Sequence, residues 1–108
     1  AAGYGLIELD TFVRHNLPVI AVVGNDAGWT QITRDQVEIL NDDVGTVLRH
    51  NNYHLIAEAL DAKGYCIRAP SDTEPVLSAA KQDAAAGSPV LVNALLGKTD
   101  FRKGSISM

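Results

Sequence analysis

Cysteine, methionine and tryptophan each occur once in these 108 residues, and aromatics make up only 6%. The single thiol, Cys66, excludes an internal disulfide framework and a multi-thiolate zinc site, and it suits a reducing compartment better than secretion. Long hydrophobic runs are missing as well. The longest, Leu17 to Val23 and Pro89 to Leu96, fall far short of the roughly 18 residues a membrane span requires. Basic clusters are absent: 9 Lys and Arg are scattered singly against 13 Asp and Glu, for a net charge of -4, which argues against a nucleic-acid footprint. No signal or transit pattern opens the chain. The expectation is a soluble, cytoplasmic protein without nucleic-acid or membrane partners. What the chain does have is 46% hydrophobic residues, enough at this length for one core that hides roughly two-thirds of the unfolded surface.

Three segments of helical spacing are each followed by a turn and a short apolar run. The first helix carries Leu6, Leu9 and Val13 on one stripe and must stop near Asn16, because Pro18 restricts Leu17; its strand is Val19 to Val23. The second places Tyr53, Ile56, Ala57 and Leu60 at i, i+3, i+4 and i+7, with Asn51 or Asn52 as cap and Gly64 as terminator. That helix is expected over Tyr53 to Lys63 and its strand over Tyr65 to Ala69. The third starts at the Ser71-Asp72-Thr73-Glu74 capping signal, contains Val76 to Ala86 and ends at Gly87; its strand is Val90 to Leu96. Continuous apolar strands are buried on both faces, and helices between them imply parallel crossovers. The predicted fold is α/β, a three-layer α/β/α sandwich around a parallel sheet.

Two irregularities point to function. The chain opens on Ala1-Ala2-Gly3-Tyr4-Gly5 directly into a helix, so a strand and its loop are expected upstream, and the chain reads as the C-terminal part of a larger domain. Gly24 to Asn51 then separates the first strand from the next helix by about 28 residues, where a βα connection ordinarily takes roughly 2 to 6. Insertions at the carboxyl end of a parallel strand are where such sheets bind ligands. The segment begins Gly24-Asn25-Asp26-Ala27-Gly28-Trp29-Thr30-Gln31: small residues for close approach, oxygen donors for a hard cation, and an aromatic wall. That composition suits Mg2+ with a diphosphate. Asn, Asp and Gly after a strand are also ordinary turn formers, and on composition alone both readings stand.

The run from Leu6 to Gln31, with its strand and this turn, resembles the diphosphate-binding domain of thiamine diphosphate enzymes, in particular the acetolactate synthase-like and 2-hydroxyacyl-CoA lyase group. The ending Thr99-Asp100-Phe101-Arg102-Lys103-Gly104-Ser105-Ile106 is similar to the same group, so the resemblance covers nearly the whole chain. It implies a thiamine diphosphate- and Mg2+-dependent lyase or carboligase acting on C–C bonds next to a carbonyl. The family's metal motif is Gly-Asp-Gly followed about 24 to 27 residues later by Asn-Asn or a variant. Only its second half is present. The resemblance makes Asn25 a side-chain metal ligand and Ala27 a main-chain carbonyl ligand, with Gly24 standing where many members have Asn and the Asp ligand just before Ala1. It makes Ala1, Ala2 and Gly3 the end of the diphosphate loop, and Gly28, Trp29 and Thr30 neighbours of the cofactor. Residues 1–97 would be the C-terminal part of the cofactor domain. The activating glutamate belongs to a separate pyrimidine-binding domain, so no catalytic residue is assigned here, and the chain alone is expected to be inactive. Expected partners are that domain and the central domain of the same enzyme, a second copy in a homodimer or homotetramer, and an acyl-CoA or 2-oxoacid substrate.

The remaining residues weigh toward plainer roles. Trp29 is about as well explained by packing as by a cofactor. His50 and His54 are four apart, but no third ligand accompanies them. His15 complements a helix end, and Cys66 reads as an inert core thiol. Gly3-Tyr4-Gly5 has Glu8 where a dinucleotide fingerprint needs glycine. Asp61 stands where relatives often have Gly. For residues 98–108, with Lys98, Arg102 and Lys103 against Asp100, the residues favour a solvated tail, whereas the resemblance implies a lid whose cations approach CoA phosphates. The competing functional classes are acetolactate synthase-type condensation of pyruvate and a noncatalytic α/β interaction module; a flavodoxin-like nucleotide domain lacks a phosphate loop.

Overall fold

A computed structural model describes residues 5–42 and 44–97, and for residues 30–34 the backbone alone. Two compact units divide the chain, residues 1–24 with 52–95 and residues 25–51 with 96–108. The elements in order are α1 (Glu8–Arg14), β1 (Ile20–Asn25), α2 (Thr30–Leu40), α3 (Tyr53–Ala59), β2 (Lys63–Ile67), a 3-10 turn (Pro70–Asp72), α4 (Thr73–Ala85) and β3 (Val90–Leu95).

The three strands form one sheet in the order β1-β3-β2. β2 pairs with β3 in parallel, from Lys63 opposite Val90 to Ile67 opposite Ala94. Val90 N donates to Val19 O at 2.7 Å and Leu96 N to Asn25 O at 2.8 Å, so β1 and β3 also advance in the same direction. The alternation of side chains across a strand separates two cores. Leu91 packs with Leu9, Ala57 and Ala62, beside Phe12, Val13, Val23 and Leu60, which places α1 and α3 on one face. Val90 and Val92 pack with Ala80, beside Tyr65, Ile67 and Val76, which places α4 on the other. The expected three layers and parallel sheet are therefore observed. Among the described residues no helix is long and apolar enough to cross a membrane.

The three expected helix-strand pairs occur in the expected order, and several details are corrected. First, burial on both faces holds only for the central strand. Val90, Leu91, Val92 and Asn93 are at most 1% exposed, whereas Val22 on β1 is 60% exposed, because β1 is a sheet edge and α4 packs on β2 and β3. Second, α3 ends at Ala59 rather than near Lys63, and β2 spans Lys63–Ile67 rather than 65–69. The helix is stopped by Asp61 in the left-handed region, φ 68°, a conformation Asp tolerates better than most residues.

Third, Gly64 is therefore no terminator. It lies inside β2, where a Cβ would sit 2.0 Å from the carbonyl oxygen of His54. Its missing side chain lets α3 lie directly on the strand. Fourth, the long insertion contains an 11-residue helix, α2. At the third helix the Ser71-Asp72 signal works one step earlier than expected. The Asp72 carboxylate accepts the Arg68 and Ala69 amides at 3.1 Å each across the 3-10 turn, α4 follows from Thr73, and Gly87 at φ 94° ends the segment.

Candidate cofactor and metal site

Asn25 ends β1 and is 5% exposed. Its side chain is oriented at both ends. Nδ2 donates to the Asn51 carbonyl at 3.2 Å, and Oδ1 accepts the Ala27 amide at 3.2 Å. Since a carbonyl can only accept and an amide N–H can only donate, the two contacts fix which end of the carboxamide is oxygen. Asp26 makes the next turn, its Oδ1 accepting the Gly28 amide at 3.3 Å.

Ala27 occupies the left-handed region at φ 57°. The other described non-glycine residues there are Asn16, Asn41 and Asp61, types with short polar side chains that tolerate it; a buried alanine does so at a cost of roughly 1 to 2 kcal/mol. Main-chain bonds hold it in place. Leu48 N donates to Ala27 O at 2.7 Å and Trp29 N to Thr46 O at 2.9 Å, so that Gly28 and Val47 form an antiparallel bridge. Thr46 is buried and Trp29 half-buried. On the far side of the segment, Gln36 Nε2 reaches the carbonyls of Asp42 and Val44 at 3.0 and 2.9 Å, beyond the left-handed Asn41 that caps α2.

The donors gathered here are a carboxamide oxygen, main-chain carbonyls and a carboxylate, all hard oxygens of the kind Mg2+ accepts. An sp2 oxygen can take an N–H and a cation together, so Asn25 Oδ1 and Ala27 O fit the roles the family resemblance implies. Among the described residues no group of three His, Cys, Asp or Glu could hold a metal. The two histidines four apart serve otherwise: His50 Nε2 lies 2.9 Å from Leu96 O, and His54 Nδ1 receives Asn93 Nδ2 at 3.2 Å. Ala1, Ala2, Gly3 and the tail 98–108 lie outside the described residues, as does the Thr30 side chain. Sequence reasoning missed Leu48, Asn51 and Leu96, whose contribution is main-chain and carries no residue-type signal.

Residues 2–94 match the family model described as thiamine pyrophosphate enzyme, C-terminal TPP binding domain. The chain belongs to this family. It is 50% identical over its whole length to 2-hydroxyacyl-CoA lyase 2 of Bos taurus and 51% identical to that of Mus musculus. It is 32% identical, over 88% of its length, to a probable acetolactate synthase of Mycobacterium bovis. In each case it spans 17% of the relative's length.

Proposed function

We propose that the chain forms the metal- and diphosphate-binding end of a thiamine diphosphate- and Mg2+-dependent lyase or carboligase of the 2-hydroxyacyl-CoA lyase type. The observation that carries this is the doubly anchored Asn25 carboxamide beside the left-handed Ala27, at the strand end where the family binds its cofactor. The half-identity over the full chain to proteins named 2-hydroxyacyl-CoA lyase 2, against about a third to an acetolactate synthase, favours acyl-CoA over pyruvate as substrate.

Thiamine diphosphate, when bound, supplies the electron sink for breaking or making a C–C bond next to a carbonyl. The residues of this chain bind and orient. Asn25 Oδ1 and Ala27 O would act as two neutral metal ligands, the negative ligand coming from the aspartate expected upstream. The Gly28 main chain allows close approach, and Trp29 walls off water on one side. Ala1, Ala2, Gly3 and Thr30 are assigned to the diphosphate, and the tail cations Lys98, Arg102 and Lys103 to CoA phosphates. No residue here is assigned as acid or base; that task falls to the pyrimidine-binding domain of the same enzyme, in a homodimer or homotetramer.

The test is Asn25→Ala in the full-length protein. Loss of an oxygen ligand should weaken Mg2+-dependent retention of thiamine diphosphate by at least about tenfold, with cleavage of a 2-hydroxyacyl-CoA falling in parallel. Unchanged retention and turnover would overturn the assignment. Condensation of pyruvate in preference to acyl-CoA cleavage would move the reading to the synthase class.

A further inference from the structure

Resting on that reading, we propose that His50 is a positioning residue for the Asn25 metal ligand. Among the bonds that hold Asn25 besides its own turn, two come from main chain distant in sequence. Its side-chain Nδ2 is held by Asn51 O at 3.2 Å, and its main-chain carbonyl accepts Leu96 N at 2.8 Å. These two partners lie 45 residues apart in sequence (96 minus 51), and His50 joins them. Its main chain is bonded directly to Asn51, while its ring Nε2 lies 2.9 Å from Leu96 O. Because that oxygen can only accept, Nε2 carries the proton and donates.

The result is a closed circuit, Asn25 to Asn51 to His50 to Leu96 and back to Asn25, of three hydrogen bonds and one peptide link. Opening it at His50 lets the Asn51 carbonyl and the Leu96 amide move independently. The hold of Asn51 on the Asn25 Nδ2 is then loosened while the Ala27 amide keeps its bond to Oδ1, so the carboxamide oxygen is less sharply placed for a cation. His50 thus acts on metal affinity without touching the metal, as groups behind metal ligands do. This also gives the His50 ring a use that the pairing with His54 does not.

The experiment compares His50→Phe and His50→Gln in the full-length protein. The first keeps a ring and removes the donor; the second keeps an N–H donor near the Nε2 position. Equilibrium dialysis of thiamine diphosphate at stepped Mg2+ gives the half-saturating Mg2+ concentration, and thermal melting without cofactor gives stability. His50→Phe should raise the half-saturating Mg2+ about fivefold, the scale of one net hydrogen bond. His50→Gln should stay within about twofold of wild type, and the apoprotein should melt lower in His50→Phe by no more than the loss of one net hydrogen bond allows. Should His50→Phe fail to fold, His50→Met, flexible and equally without a donor, carries the same expectation. A wild-type Mg2+ requirement in the donorless variant, or equal weakening in the Gln variant, would overturn the positioning role alone. A wild-type protein that binds no thiamine diphosphate at any Mg2+ concentration would overturn the proposed function and this inference with it.

Discussion

The sheet with its helices and the segment 25–51 are held together by different physics. In the first, the central strand is almost entirely removed from water, and helices pack on both its faces. In the second, the described side chains of α2 gain little from burial: Ile39 is 79% and Leu40 64% exposed, and Val44 beyond the helix is 69% exposed. There the order comes from specific bonds, Asn25 to Asn51, Ala27 to Leu48, Trp29 to Thr46, and Gln36 to two carbonyls. Burial is non-directional and tolerates small adjustments; a set of directed bonds fixes oxygen positions to a few tenths of an ångström, which is what a cation site demands. The difference predicts that substitutions in the layers change stability and those in the segment change cofactor affinity.

The strongest way to break this comparison is Gly64→Ala. The added methyl would meet His54 main-chain atoms at 2.0 and 2.8 Å, which no side-chain rotation relieves, so α3 must lift from β2. A loss of about 3 kcal/mol or more is expected in urea unfolding of the full-length protein, at the upper end for overpacking. Gly97→Ala, where no atom of the described residues lies within 4 Å of the new carbon, should change stability by less than about 0.5 kcal/mol. Equal effects at the two glycines would show that helix and strand are not in the close contact described.

A middle-sized effect is expected at the polar contact inside the layers. Asn93 is fully buried on β3, and its Nδ2 donates to His54 Nδ1, leaving the imidazole proton on Nε2. Asn93→Leu keeps the volume and removes the donor, which should cost about 2 kcal/mol, the scale for depriving a buried acceptor of its partner. A double-mutant cycle with His54→Leu should recover about half of the summed losses. Simple additivity would show that the two side chains do not depend on each other.

The same division governs how much could be read from the sequence. The layers were legible because burial writes itself into the apolar pattern: Leu9 with Val13 and Tyr53 to Leu60 carry the helical period, and Val90 to Leu95 is the short, nearly continuous apolar run of a strand buried on both faces. What was not legible depended on contacts without a pattern. The helix α2 went unnoticed because its helical spacing, Ile32 with Ile39 and Val37 with Leu40, is carried by few apolar residues inside a segment that read as a loop, and its N-cap position, Trp29, offers no capping oxygen. Gly64 was read as a helix stop, since a glycine needed for close approach looks the same as one needed for a turn; only the backbone shows that Asp61 turns the chain. Asn25 and Ala27 stood out by motif, but their partners Asn51 and Leu48, lying 26 and 21 residues further on, contribute main-chain atoms that any residue would supply. The open face of β1 also left no mark, because Val22 is equally at home in an edge or a central strand.

The smallest effect sharpens the comparison through pH. Tyr65 on β2 donates its hydroxyl to the Asp83 carboxylate on α4. That hydrogen bond, followed by desolvation and the nearby charges of Asp83 and Glu58, raises the phenol above its ordinary value of 10.0. A proton held more tightly in the folded state than in the unfolded chain stabilises the fold wherever the phenol is protonated in both states. The contribution is therefore fully present below about pH 10 and is lost as pH climbs through the raised folded value. Tyr65→Phe removes the donor while keeping the ring against Val90 and Val92. It should lower stability by about 1 kcal/mol at pH 7 to 9, the size of one net hydrogen bond, and the gap to wild type should close steadily above pH 10. Thermal melting of both proteins from pH 7 to 11 measures it. Because this contact lies in the layers, thiamine diphosphate binding at neutral pH should be the same in both. A gap that widens in alkali would mean that the hydroxyl is bonded as phenolate, and a loss of cofactor affinity would mean that the layers and the segment 25–51 are not the separate devices their interactions indicate.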